Sequence, residues 1–186
     1  MVLNLSSSIL TRRVAKELGC KVSIKPVGFN YIYTEMRKRD VLLGGGEAGG
    51  MGFAHHIPER DGLLANLLIC EAMAETGKTL GELVDELEAR YGRFHYARRD
   101  LRVDPEVIEM LRTVLPGLNP PVVAGRVPVA VSHMDGLRFE FNDESWLLLR
   151  PSGKEPLVRV YAEAATIELR DELLEAGIDL ARGEFA

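Results

Sequence analysis

Residues 146–164 read WLLLRPSGKEPLVRVYAEA. Two apolar runs, residues 146–149 and 157–164, flank a polar loop, Arg150-Pro151-Ser152-Gly153-Lys154-Glu155-Pro156. In the second run Val158, Val160 and Ala162 alternate with Arg159, Tyr161 and Glu163, the period of a strand with one buried face. The runs therefore predict two strands whose connection carries two cations, a hydroxyl and a glycine. An anion such as phosphate needs several donors converging on a small volume. Arg150 at a strand end, Ser152, and the N–H groups of Gly153 and Lys154 are such a set. The same residue types also suit a plain strand-connecting turn.

Working outward, residues 126–134 and 137–141 meet at Asp135-Gly136, a strong hairpin signal. Asp104-Pro105 opens a helix bearing Val107, Ile108, Leu111 and Leu115, and Thr166 caps a last helix bearing Leu169, Leu173 and Leu180. This half reads as α+β: a four-stranded, mostly antiparallel sheet with flanking helices. Residues 90–102, rich in arginine and aromatics, read as an extended connector into it.

The first half has another rhythm. Strands are predicted at residues 2–5, 20–25 and 41–43, and helices at 9–18 and 29–39. That β-α-β-α-β order implies a parallel sheet in a three-layer α/β domain. Ligands of such sheets sit beyond the carboxyl ends of the strands. GGGEAGGMGF, residues 44–53, follows one of those ends. It is neither a Walker loop nor a GxGxxG turn. So many glycines favour close approach of a ligand or backbone, the alternative being a mobile surface loop. Residues 61–75 are apolar almost all round, which predicts a well-buried helix. Thr79-Leu80-Gly81-Glu82 fits a capping box. His55 and His56 lack a third ligand at a useful spacing, so no metal site is expected there. Arg60, close to the start of the 61–75 helix, is available to an anion, the alternative being a solvated or ion-paired side chain.

The 186 residues suffice for two small domains with real cores. A net charge of −5 argues against nucleic acid or an anionic membrane as the main partner, but not against a small anion bound by a local cluster of cations. Cys20 and Cys70 show no CxxC spacing and read as buried free thiols of a reducing compartment, a single disulfide being the alternative. No apolar run approaches the ~20 residues of a membrane span. MVLNLSSSIL lacks the features of a signal peptide, so a cytoplasmic location is expected.

Three stretches, in this order, resemble the α-D-phosphohexomutase family, the phosphoglucomutases and phosphomannomutases. LLGGGEAGG (residues 42–50) resembles its sugar-recognition loop, GGExSGG. GFAHHIPERDG (52–62) resembles the segment after that loop. RPSGKEPLVRVYAEA (150–164) resembles its C-terminal phosphate-binding loop, RxSGTEP. The resemblance implies a third domain over residues 1–89, partial and truncated at its N-terminus, a connector over 90–103, and a TBP-like fourth domain over 104–186. It also implies that a serine in a first domain carries a phosphoryl group and that an aspartate-rich loop in a second holds Mg²⁺. Neither a TxSHNP-like nor a DGDGDR-like loop occurs in the sequence. No cofactor is therefore expected on this chain, and Mg²⁺ is expected only in those other domains. By resemblance, Arg150, Ser152, Gly153 and Lys154 clamp the phosphate of a hexose phosphate. Gly46, Glu47 and Ala48 face the sugar, and Arg60 supplies charge near the reacting phosphoryl group.

The departures are specific. The family's glutamate falls on Gly46 and its serine on Ala48, with Glu47 adjacent. Phe29 and Asn30 stand where a histidine or lysine is frequent, and Lys154 replaces threonine. Two functions follow. The resemblance implies that the chain is the C-terminal part of an intramolecular phosphotransferase on hexose phosphates, completed by a longer parent chain or by a partner chain carrying domains 1 and 2. Alternatively it is a non-catalytic remnant that binds sugar phosphates or a protein partner, which the losses at Gly46 and Ala48 favour. An uncovered sheet edge or face would also suit self-association.

Overall fold

A computed structural model describes residues 1–38, 40–153 and 155–183. The chain divides into two compact units, Met1–Arg93 and Phe94–Ala186.

The first unit contains strands β1 (Val2–Asn4), β2 (Ser23–Lys25), β3 (Leu43–Gly45) and β4 (Met51–Phe53) and helices α1 (Ile9–Glu17), α2 (Phe29–Met36), α3 (Gly62–Thr76) and α4 (Leu80–Tyr91). The sheet order is β2-β1-β3-β4. β1 runs parallel to β2 and β3, as the βαβ rhythm requires, and β4 returns antiparallel to β3. Val2, Ile32 and Val41 are buried together, with Phe29 and Met36 packed against them. Ser8 caps α1 by accepting the N–H of Leu10, and Thr79 with Glu82 forms the expected capping box on α4.

Three expectations for this unit change. The third strand begins at Leu43, two residues later than predicted, because its pairing is set by a partner the sequence reading missed, β4. The glycine-rich stretch is therefore a β-hairpin, closed by Gly46 N–H to Gly50 O at 3.3 Å and Gly49 N–H to Gly46 O at 3.1 Å. Helix α3 is not well buried: only Ala65 is, while Leu63 and Leu67 are 74% and 57% exposed. Apolar composition states what a helix can bury, not what lies against it. Its Cys70 is likewise an exposed free thiol, and Cys20 is half-buried rather than buried.

The second unit contains β5 (His95–Arg102), α5 (Pro105–Val114), a 3-10 turn at Leu115–Gly117, β6 (Ala130–Ser132), β7 (Leu137–Glu140), β8 (Trp146–Pro151), β9 (Leu157–Ala164) and α6 (Ile167–Arg182). The sheet has five strands in the order β5-β9-β8-β7-β6, all neighbours antiparallel. The fifth strand is the stretch read as a connector. β5 pairs with β9 along its whole length, from His95 opposite Ala164 to Arg102 opposite Leu157. Its arginines disguise a strand whose Ala97 and Leu101 pack against the core. That core joins Leu137, Phe139, Leu147, Leu149, Val158, Val160 and Ala162 of the sheet to Leu111 of α5 and Leu173 and Leu174 of α6.

The alternate positions of the same strands carry buried polar groups. Trp146 Nε1 donates to the Glu163 carboxylate at 2.9 Å, and the Arg138 guanidinium lies 4.1 Å from the Trp146 ring centroid. Arg138 and Glu163 are each 1% exposed. Charges so deeply buried are tolerable only when paired or stacked.

Candidate functional site

In the first unit a cavity of about 210 Å³ opens at the carboxyl ends of three parallel strands. Asn4 ends β1, Val27 and Gly28 follow β2, and Gly46 follows β3. Open α/β sheets bind ligands at such a place. Glu47, Ala48, Arg60 and Phe29 complete the wall. Gly46, Glu47, Ala48 and Arg60, chosen from sequence, thus share one cavity.

Asn4 was not among the sequence candidates, yet it organises the wall. Its Nδ2 donates to the Glu47 carboxylate, and its Oδ1 accepts from Ser7 Oγ at 2.8 Å and Ser6 Oγ at 3.3 Å. A Cβ at residue 46 would lie 2.8 Å from Asn4 Nδ2. Glycine there lets the hairpin approach the amide, and the carboxylate in the wall is that of the next residue, Glu47. The Arg60 guanidinium lies 5.3 Å from the Phe29 ring centroid, and its Nε is 3.3 Å from Glu59 Oε1.

His56 pairs with Asp61 instead of forming part of a metal cluster, Nε2 to Oδ2 at 2.7 Å. Asp61 Oδ1 meanwhile accepts the N–H of Leu64 at 3.0 Å and caps α3. The Leu64 N–H and then His56 hold the Asp61 carboxyl below its ordinary value of 3.8. A depressed carboxylate stabilises the fold above its unfolded pKa, and that contribution is lost as pH falls through the folded value. Thermal melts of wild type and Asp61→Asn, followed by circular dichroism from pH 6 downward, should differ near neutrality and converge below pH 3.8. A constant difference down to pH 2.5 would overturn this account.

In the second unit a cavity of about 390 Å³ lies at the end of β8. Arg150, Pro151 and Gly153 form one wall, the β6–β7 turn contributes His133, Asp135 and Gly136, and α5 with the following turn contributes Arg112, Leu115 and Pro116. Arg150 Nε donates to Asp135 Oδ2 at 2.7 Å, with side-chain exposures of 16% and 22%. That contact depends on the Asp135-Gly136 turn. Gly136 has φ +91°, and a Cβ there would sit 2.1 Å from Leu149 O. Glycine alone permits the turn to come this close to β8.

Of the four phosphate-loop candidates, Arg150 and Gly153 line the cavity. Ser152 is buried and does not line it; its N–H donates to Leu157 O at 2.8 Å and its Oγ accepts the N–H of Glu155 at 3.3 Å. Lys154 lies outside the described residues. Asp135, His133 and Arg112 were not sequence candidates. Asp135 could have been suspected from its hairpin turn, but nothing local marks Arg112, which is 40 residues from the loop it touches. Among the described residues no three His, Cys, Asp or Glu side chains group to hold a metal ion. No helix among them is long and apolar enough to cross a membrane.

Comparison with known proteins matches the chain to two domains of one family. Residues 1–91 match the profile of the phosphoglucomutase/phosphomannomutase alpha/beta/alpha domain III, and residues 77–179 match that of the phosphoglucomutase/phosphomannomutase C-terminal domain. The chain is 32% identical to the phosphoglucomutase/phosphomannomutase of Thermococcus kodakarensis over 180 residues, covering 97% of this chain and 37% of that protein. It is 33% identical to the phosphoglucosamine mutase of Halalkalibacterium halodurans over 159 residues, covering 86% and 31%. A solved Thermus thermophilus structure, provisionally assigned as a phosphomannomutase, superposes with a TM-score of 0.73 at 37% identity, covering 98% of this chain and 36% of that one. The chain thus spans about a third of the length of these relatives. With both profiles matched in order, it belongs to the phosphoglucomutase/phosphomannomutase family, of which it carries domain III and the C-terminal domain.

Proposed function

We propose that the chain supplies the hexose-phosphate-binding part of a phosphoglucomutase- or phosphomannomutase-type intramolecular phosphotransferase. The observation that carries this reading is Arg150, held by Asp135 at the mouth of a concave site that also contains Gly153. In this reading Arg150, with Gly153, Ser152 and Lys154 of the same loop, binds the phosphate that does not react. A guanidinium fork suits the oxygens of a phosphate. Gly46, Glu47 and Ala48 face the sugar, where Glu47 accepts from a hydroxyl and Ala48 contributes only backbone. Arg60 adds positive charge for the transferring phosphoryl group. Such transfers rest on positioning and electrostatic stabilisation. The phosphoryl-carrying serine and the Mg²⁺ loop belong, in this reading, to polypeptide resembling domains 1 and 2 of the relatives. A cytoplasmic setting is part of the proposal, and free Cys20 and Cys70 suit a reducing compartment.

Isothermal titration with glucose 1-phosphate tests the binding step. Arg150→Ala is expected to weaken affinity by about 10- to 100-fold, the loss that goes with one charged hydrogen-bonding group. Equal affinity in wild type and variant, or no binding by either, would overturn the assignment. Mixing the chain with a polypeptide carrying the first two domains of the Thermus relative should then yield mutase turnover. Its absence from a mixture that forms a complex would count against the catalytic half of the proposal.

A further inference from the structure

We propose that Arg112, which lies outside the loop motif, is a second phosphate-contacting residue of the cavity at the end of β8. The inference rests on the phosphate reading of that cavity and adds its missing charge. Arg150 and Asp135 line the cavity as a close pair, so their formal charges cancel. The pair keeps the hydrogen-bonding fork of Arg150 for a phosphate, but a dianion also calls for net positive charge that the pair does not provide. Arg112 also lines the cavity, and its carboxylate partner Glu109 does not. That partner is a solvated neighbour one helical turn back, 70% exposed, at 2.5 Å from Nη1. An exposed pair of this kind is weak and yields readily to a better anion. Among the described lining residues, Arg112 is therefore the guanidinium whose charge the cavity itself does not neutralise.

Its placement is held from the other side. Nη2 donates to the carbonyl of Ser152 at 2.7 Å. Each terminal nitrogen of a guanidinium carries two hydrogens, so this bond and the Glu109 pair leave one hydrogen on each for a ligand. The bond also orients the loop. In a trans peptide the carbonyl and the following N–H point in opposite directions, so anchoring the Ser152 carbonyl fixes the direction of the Gly153 N–H. Arg112 thereby supplies charge to the phosphate and holds in place a backbone donor of the same site.

Titration of wild type, Arg112→Lys, Arg112→Gln and Arg150→Ala with inorganic phosphate, glucose 1-phosphate and glucose separates contact from support. Gln keeps an N–H donor for a carbonyl but no charge, and Lys keeps the charge. Arg112→Gln is expected to bind both phosphate ligands about tenfold more weakly and with a shallower salt dependence, while Arg112→Lys stays within about threefold of wild type. Glucose affinity should not change in either. Equal losses in the two Arg112 variants, or a loss extending to glucose, would make Arg112 a structural strut and overturn the proposal. Wild-type affinity in Arg112→Gln with a large loss in Arg150→Ala would overturn this inference alone. Failure of wild type to bind either phosphate ligand would overturn the underlying reading with it.

Discussion

Replacing Gly136 by alanine is expected to lower the stability of the chain by about 3–5 kcal/mol, the sum of a strained left-handed backbone and a clash in a packed site. The new Cβ would sit 2.1 Å from the Leu149 carbonyl oxygen and 3.0 Å from Arg150 Cα. Both are backbone atoms in a strand paired on each side by β7 and β9, so neither can rotate away as a side chain could. The turn has to lift off β8, and Asp135 leaves Arg150 as it does so. Urea unfolding should show the midpoint fall with an unchanged slope. Under conditions where the variant is still folded, phosphate affinity should fall as well. A stability loss below about 1 kcal/mol would mean that the turn sits farther from β8 than described.

The second large effect lies at Trp146. Truncation to alanine removes a fully buried ring and is expected to destabilise by about 3–5 kcal/mol. Packing is only part of the loss. The indole N–H is a donor to Glu163, and the ring face carries the Arg138 guanidinium, all within the sheet. Trp146→Phe keeps an aromatic face but removes the donor, and should cost about 1–3 kcal/mol. The difference between the two variants, read from urea midpoints, separates the ring from its hydrogen bond. If Phe proved as damaging as Ala, the donor to Glu163 would outweigh the packing.

How much of this was legible in the sequence depends on the range of the interactions concerned. Asp135-Gly136 announced a hairpin because turn chemistry is local. β9 announced itself through alternation, β8 through a continuous apolar run, and the capping box on α4 through three-residue spacing. The glycine-rich stretch and the loop after β8 drew attention because both resemble family motifs, though nothing in the first showed that it folds as a hairpin. Strand β5 was missed because its edge position puts Arg98 and Arg99 where a central strand would show apolar residues. β4 was missed because the hairpin's paired strands contain three glycines, Gly44 and Gly45 of β3 and Gly52 of β4, which is the composition of a loop. The site residues that escaped are those recruited from a distance. Asn4 meets Glu47 across 43 positions and Arg112 meets Ser152 across 40, separations at which no local pattern carries information.

The leucines on α3 have a practical consequence. Leu63 and Leu67 face water on a helix with a single buried residue. Exposed hydrocarbon is disfavoured more strongly as excluded salts raise the cohesion of the solvent. This chain should therefore salt out at modest ammonium sulfate, and Leu63→Lys with Leu67→Glu should move its precipitation point upward without touching either cavity.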